Sequence, residues 1–540
     1  VYIQTCAAEK RRRRKRGKFP DPDKRVFINP SVCEGCGDCG VQSNCVAILP
    51  LETPLGRKRQ IDQSACNKDF SCVKGFCPSF VTVSGAKPKA RATAEFSLPE
   101  IPEPQVPALD RTWNVLVTGV GGTGVVTVGA LITMAAHVEG KGAAEMQMAG
   151  LAQKGGAVAI HCRVAPKPED ITAIRIAVAE ADAVIGGDLV VTAAPKTLAA
   201  MARGRTGAVC NSQEIITGEF TRNTEFSLPS QGLQLAIERR VGAERFRLIH
   251  ATKLAERMLG DAIFSNVMML GAAWQMGLVP LSGAAIRRAI ELNGAAVKGN
   301  LQAFEIGRWA VEMPQDAVAM IEDETPAEET LDDKIARREA HLTGFQGRRL
   351  ARRYRRLVDR ARARDEELGD AIAWGYFKLL AYKDEYEVAR LHASTLDRAL
   401  SEAFDNVGEV RFHLAPPILG KTDREGRPVK TEFGPWMMRA FRVLAGFKFL
   451  RATPLDPFGY TDERRMELRL IKEFEADMEV VLEVEDGLLP TAIELARLPL
   501  KIRGFGHVKA KNAAEAAEER RALLAQLADG APVPEALAAE

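Results

Sequence analysis

Long apolar runs are missing from this chain. None of 18 or more apolar residues occurs in its 540 positions, so no membrane-spanning helix and no membrane partner are expected. The start is not expected to be a signal peptide either, because the early basic run has no apolar segment behind it. Excess charge of one sign is also lacking. The 74 Lys and Arg balance 71 Asp and Glu to a net +3, which predicts no nucleic-acid partner. There is no Gly-x-Ser-x-Gly, no His-Glu-x-x-His and no Walker A sequence. No complete acid–base or nucleophilic constellation appears, so no catalytic residue is assigned. Cysteine is scarce over most of the chain. Only Cys6, Cys162 and Cys210 lie outside one short segment, a usage that points to a reducing, cytoplasmic compartment.

That segment is the strongest signal present. Seven of the ten cysteines fall between Cys33 and Cys77, spaced Cys33-x2-Cys36-x2-Cys39-x5-Cys45, then Cys66-x5-Cys72-x4-Cys77-Pro78. A tight run of three, closed by a distant Cys-Pro, is how ferredoxin-type chains wrap a [4Fe–4S] cluster. Three thiolates on one loop cover one face of a cubane, and the fourth arrives from afar. In two-cluster ferredoxins the last cysteine of a run serves the other cluster. By that logic Cys33, Cys36, Cys39 and Cys77 hold one cluster. Cys45, Cys66 and Cys72 remain for a second, one ligand short unless Asp69, Cys6 or a residue from elsewhere completes it. The competing readings are a disulfide knot and a structural zinc site, since Cys-x2-Cys also suits tetrahedral Zn²⁺.

The rest of the chain falls into segments. Lys10–Lys18 holds eight basic residues in nine positions and reads as a solvated or interface arm. Residues 25–85 form the cysteine module, and 86–110 a Pro-rich, extended linker. From 111 to 320, short apolar strands alternate with helical patterns, which predicts an open, mostly parallel α/β sheet. Strands are expected at Trp113–Thr118, Ala157–Val164, Ala183–Gly186, Gly207–Cys210 and Phe246–Ile249. Helices are expected at Val125–His137, around Ala194–Ala202 and Gly232–Val241, and at Ala262–Gly277 and Gly283–Ala310. The segment Glu145–Gly156, with Gln153 and Lys154, reads as a loop. Residues 331–540 are mainly helical, with a mixed section at 408–460.

Between the first strand and helix lies Gly119-Val-Gly121-Gly122-Thr123-Gly124, a geometry that can aim backbone N–H groups at a phosphate. Gly119, Gly121, Gly122, Thr123 and Gly124 are therefore cofactor-binding candidates. A dinucleotide site also needs an acidic residue about 20 positions on, at a strand end. Glu139 is poorly placed for that. The other reading is a tight turn whose glycines serve packing. His161, in an alternating run, reads as a satisfied sheet histidine.

Several of these stretches carry a likeness. Gln4-Thr-Cys-Ala-Ala-Glu-Lys-Arg-Arg-Arg-Arg14, Val32-Cys-Glu-Gly-Cys-Gly-Asp-Cys39, Gln42-Ser-Asn-Cys45, Cys66-Asn-Lys-Asp-Phe-Ser-Cys-Val-Lys-Gly-Phe-Cys-Pro78 and Thr118-Gly-Val-Gly-Gly-Thr-Gly-Val-Val126 resemble the long, fused bacterial indolepyruvate ferredoxin oxidoreductases. The resemblance implies the last three parts of such a chain: a ferredoxin-like segment, a γ-type α/β domain and a C-terminal domain. Residues 1–24, which open on Val1 rather than Met, would be the tail of a thiamine-diphosphate domain. The implied reaction is oxidative decarboxylation of an aryl 2-oxoacid. CoA as co-substrate takes the acyl group, and electrons pass through the [4Fe–4S] cluster to ferredoxin. Thiamine diphosphate and Mg²⁺ would belong to domains outside this sequence, on the same or a separate chain, and a homo-oligomer is expected. This chain alone should then not turn over. The alternatives are a non-catalytic iron–sulfur electron-transfer subunit, or an iron–sulfur flavin or NAD oxidoreductase using the Gly119–Gly124 loop.

Overall fold

The computed structural model describes residues 14, 17–45, 47–63, 66–89, 97–121, 124–149, 156–213, 229–321, 329–416 and 429–529. Most of the basic arm, Cys6, Gly122, Thr123, Gln153 and Lys154 lie outside the described residues. The chain divides into two compact units, residues 1–89 with 326–540, and residues 90–325. The cysteine segment therefore folds with the C-terminal helices, across more than 230 intervening positions. Among the described residues no helix is long and apolar enough to cross a membrane.

In the unit of residues 90–325, six strands form one sheet in the order Phe246–Ile249, Gly207–Asn211, Ala183–Gly186, Trp113–Val120, Ala157–Ala165, Gly142–Ala149. The first four are parallel and the last two antiparallel. The parallel strands are apolar runs buried on both faces, as Val115, Val117, Val184, Ile185, Ala208 and Val209 show. Helix Ser265–Gln275 lies wholly inside the core and packs on Val297–Glu312, with Trp274 and Phe304 rings 5.5 Å apart.

Two expectations fail here. Residues 145–149 are strand rather than loop. Gly142–Ala149 pairs with Ala157–Ala165 from Gly142 opposite Ala165 to Ala149 opposite Val158. Its Ala, Glu and Met residues favour helix, but pairing at a sheet edge overrides that preference. The expected single helix Gly283–Ala310 is two, Gly283–Asn293 and Val297–Glu312, parted where Gly294 turns left-handed. The Pro-rich stretch does not hang free beyond residue 97. Leu98, Ile101 and Leu109 pack on the α/β core, and Arg308 donates to the carbonyls of Ile101 and Pro102 at 2.9 and 3.0 Å.

In the other unit the two ends of the chain share a sheet. Strands Lys24–Ile28, Phe80–Ser84, Val410–Leu414 and Thr431–Phe433 run antiparallel in that order. The strand that follows Cys77-Pro78 thus pairs on one edge with the cysteine module and on the other with the C-terminal segment. Helices Leu331–Gln346, Arg348–Arg364, Glu366–Leu380, Asp462–Val481, Leu489–Arg497 and Gly506–Asp529 bury a second core around Tyr354, Tyr376, Phe474 and Met478. Glu385–Ala403 packs its apolar face on the shared sheet through Ala389, Leu396 and Leu400. Helix Arg348–Arg364 owes its amphipathicity to the 4, 3, 4 spacing of Leu350, Tyr354, Leu357 and Ala361.

Candidate metal centre

Short turns aim the cysteines inward. Cys33 follows the turn closing the Lys24–Ile28 strand, where its N–H donates to the Asn29 carbonyl at 3.0 Å. Gly35 then reverses the chain at φ +71°, with its Cα side against the Arg57 carbonyl, where any side chain would collide. Its N–H lies 3.3 Å from Cys33 Sγ, a backbone donor aimed at sulfur. Cys39 sits in helix Asp38–Ser43, Cys72 in the 3₁₀ turn Ser71–Lys74, and Cys77 just before the central strand. Asp38 ties the first and last of these together by accepting from Phe76 N–H at 2.7 Å.

The thiols fall into two sets. Burial pushes the Cys36 thiol up to about 12, with Cys77 and Cys33 as neighbours of like charge. Cys39 is pushed well above its ordinary range by burial, then by Cys77, Cys33 and Cys36. Burial likewise raises Cys77, opposed by Lys430 and by a hydrogen bond to Ser79 Oγ at 2.9 Å, and raised further by Cys33. Cys72 belongs elsewhere: burial carries it to about 12, then Cys45, Cys66 and Asp69 add to the rise. Cys33, Cys36, Cys39 and Cys77 thus neighbour one another, and Cys45, Cys66 and Cys72 form a separate group beside Asp69. None of the described cysteines forms a disulfide.

Four thiols side by side, Cys33 and Cys39 buried and Cys36 and Cys77 partly so, resist ionisation unless a cation compensates them, and metal binding does so by displacing their protons. The first set has the donor type and number that a [4Fe–4S] cluster requires. Among the described residues no His, Cys, Asp or Glu group is gathered around a single-ion site. A four-iron cluster differs, because each thiolate takes a different iron.

Lysine side chains gather around the first set, with burial lowering Lys383 to about 8 and Lys378 well below its ordinary range, and sequence reasoning missed them. Lys383 Nζ donates to the carbonyls of Val32 and Cys33, both at 3.0 Å, and pairs with Glu34 Oε1 at 2.9 Å. Lys378 reaches the same carboxylate. Lys430 Nζ donates to the Val73 carbonyl at 3.2 Å and stands 4.7 Å from the Phe80 ring centre. The loop before the last helix and that helix's first turn close the far side. Gly504 faces Cys36 Cβ, and the His507 ring lies 4.8 Å from Phe76. His392 Nε2 donates to the Pro78 carbonyl at 3.0 Å while Nδ1 faces Asn29 Nδ2, so burial keeps this ring neutral with a pKa near 4. These contacts come from residues 300 or more positions away, beyond the reach of any local motif.

The glycine loop is more modest. A Cβ on Gly119 would fall 2.4 Å from Val125 of the following helix, so that position is empty for packing. Gly121 N–H donates to the Gly156 carbonyl at 2.8 Å. Gly124 starts helix Val125–Val138 at φ +102°. Glu139 accepts from Ser282 N–H at 2.7 Å and pairs with Lys141, which commits it to the neighbouring helix start. His161 Nδ1 accepts from Ile176 N–H at 3.1 Å, a satisfied sheet histidine. At the carboxyl ends of the Gly207–Asn211 and Phe246–Ile249 strands, Ser212 Oγ lies 2.7 Å from His250 Nδ1, a contact no motif announces.

Residues 114–310 match the family described as pyruvate ferredoxin/flavodoxin oxidoreductase. Residues 331–522 match a family of unknown function, DUF6537. Indolepyruvate oxidoreductase subunit IorB of Archaeoglobus fulgidus is 27% identical over 196 residues, covering 36% of this chain and 92% of that protein. The subunit of the same name from Pyrococcus horikoshii is 26% identical over 200 residues, 36% of this chain and 95% of its own length. The γ subunit of a keto/oxoacid ferredoxin oxidoreductase from Geobacter sulfurreducens is 19% identical. It covers 37% of this chain and 98% of that one, at a TM-score of 0.28.

Proposed function

We propose, for a chain whose residues 114–310 are a pyruvate ferredoxin/flavodoxin oxidoreductase domain, that it is the γ-domain and electron-exit portion of a 2-oxoacid:ferredoxin oxidoreductase acting on aryl 2-oxoacids such as indolepyruvate. The relatives named as indolepyruvate oxidoreductase subunits favour that substrate class. The observation that carries the reading is the sorting of the cysteines into two sets, one of them four thiols with no disulfide among them. In this reading Cys33, Cys36, Cys39 and Cys77 hold a [4Fe–4S] cluster, which when bound accepts and releases single electrons. Cys45, Cys66 and Cys72 would hold a second if a fourth ligand joins them. The chain's own residues bury the site, exclude water and point backbone N–H groups at sulfur. Decarboxylation itself would use thiamine diphosphate and Mg²⁺ on domains outside this sequence, with CoA as acyl acceptor and ferredoxin as electron acceptor. Gly119, Gly121, Gly122, Thr123 and Gly124 would serve CoA or phosphate contact, Gly119 in addition to its packing against Val125.

Iron and acid-labile sulfide per chain after anaerobic purification test this. About four iron atoms per filled cluster are expected. Cys77→Ser should lose the iron of the first set, and Cys162→Ser, a buried strand thiol in the other unit, should keep it. Colourless protein carrying stoichiometric zinc would overturn the reading. So would 2-oxoacid oxidation by this chain alone.

A further inference from the structure

The cations around the first thiol set outnumber the carboxylates that face them. Lys378 and Lys383 share one carboxylate, Glu34. Lys58 is buried close by, where burial and then Lys383 lower its pKa to about 7 while Cys33 opposes the fall. Burial lowers the pKa of Lys430, opposed by its neighbours Cys77, Cys39, Asp38 and Cys72, so it stands between the two thiol sets. Lys509 adds a further buried ammonium, matched by Glu467 at 2.5 Å. Lysines are almost never buried unless paired, because losing water around an ammonium costs several kcal/mol. Burial lowers the pKa of Lys383 to about 8 and those of Lys378 and Lys430 below their ordinary range, and an anion placed among them would hold them charged. A four-iron cluster bearing four thiolates is a net anion.

Four of these lysines, Lys378, Lys383, Lys430 and Lys509, lie in residues 331–522, the segment matching a family without an assigned function. Pairing of Val410–Leu414 with Phe80–Ser84, register Val410 opposite Val83 and Phe412 opposite Val81, fixes that segment on the cysteine loops. We propose that residues 331–522 supply the counter-charge of the cluster, and that Lys383 and Lys430 are positioning residues that raise its reduction potential. Reduction adds one electron to a buried anionic site. A fixed ammonium a few ångströms away stabilises the reduced state more than the oxidised one, because the attraction grows with the added charge. The C-terminal domain thereby sets how readily electrons leave the catalytic partner.

This inference rests on the cluster assignment above, and the experiment separates the two. The full chain is reconstituted anaerobically, and its cluster potential is read by EPR-monitored titration with iron and sulfide measured for each variant. In Lys430→Gln and in Lys383→Gln, the ratio of reduced to oxidised cluster at the wild-type midpoint should fall about tenfold, ~59 mV for one electron. Lys430→Arg should stay at the wild-type potential. So should Arg465→Gln, which removes a cation that is two-thirds exposed. Loaded Lys430→Gln and Lys383→Gln proteins at the wild-type potential would sink the inference. An equal shift in Arg465→Gln would sink it too, since overall charge would then suffice. If Lys430→Gln loses iron while Lys430→Arg keeps it, the counter-charge role stands. Loss in both reduces Lys430 to packing. Absence of iron from the wild type would remove the cluster assignment itself.

Discussion

Asp188 shows how one buried side chain makes the α/β unit sensitive to pH. It is fully buried and caps the short helix Leu189–Thr192, accepting from Val191 N–H at 2.9 Å. Burial raises its pKa to about 6, against the pull of the Val191 and Val190 amides. The folded state therefore holds the proton more tightly than the unfolded chain, where Asp ionises near 3.9. Stability from this group is greatest below about pH 4, falls as pH rises to about 6, and is level beyond. Asp188→Asn keeps the capping oxygen and removes the charge. At pH 7 it should stabilise the unit by about 2–3 kcal/mol, shrinking toward zero near pH 4. Denaturant melts of wild type and variant at both pH values check this. Equal differences at the two pH values would show that burial of the charge is not the cause.

Among elements, the strand Val410–Leu414 binds the C-terminal segment to the cysteine module. Phe412 on that strand is fully buried, with Phe441 at 5.2 Å and His392 at 5.4 Å, both edge to face. His392 in turn holds the carbonyl of Pro78, the residue after Cys77. Phe412→Ala should cost about 3–5 kcal/mol through the cavity left behind. Chemical denaturation followed by tryptophan fluorescence measures the cost, and faster release of bound iron is expected with it. The strands of the α/β unit were legible in the sequence because parallel strands buried on both faces are plain apolar runs, such as Ala183–Gly186. Gly142–Ala149 was not, since its residues prefer helix and only its partner makes it a strand. The cysteine sets follow from ferredoxin-like spacing. Lys383 and Lys430 could not be foreseen, because nothing near them in sequence differs from an ordinary helix end or hairpin. Their place beside the cysteine loops appears only when a strand 330 positions downstream pairs with the one after Cys77.

At the scale of the whole molecule, the division into two units places the C-terminal segment in one compact unit with the cysteine module. Val32, Val388, Leu391 and Phe505 form one small buried cluster, and partly buried Phe76 and Cys77 pack against it. Val81 and Val83, fully buried under Leu396, Leu400 and Phe412, would face water without residues 326–540. The α/β unit has its own core, built from residues 98 to 321. A chain ending at residue 325 should therefore keep a cooperatively folded α/β unit while its cysteine module fails to hold iron. Hydrogen exchange reads the first outcome, as strong protection in the Trp113–Val120 and Ala183–Gly186 strands. Iron analysis after reconstitution reads the second. Full iron retention in the shortened chain would show that the cysteine module is self-sufficient, and that the shared sheet contributes only to attachment. Exchange protection lost across the α/β strands would instead mean that the two units fold as one.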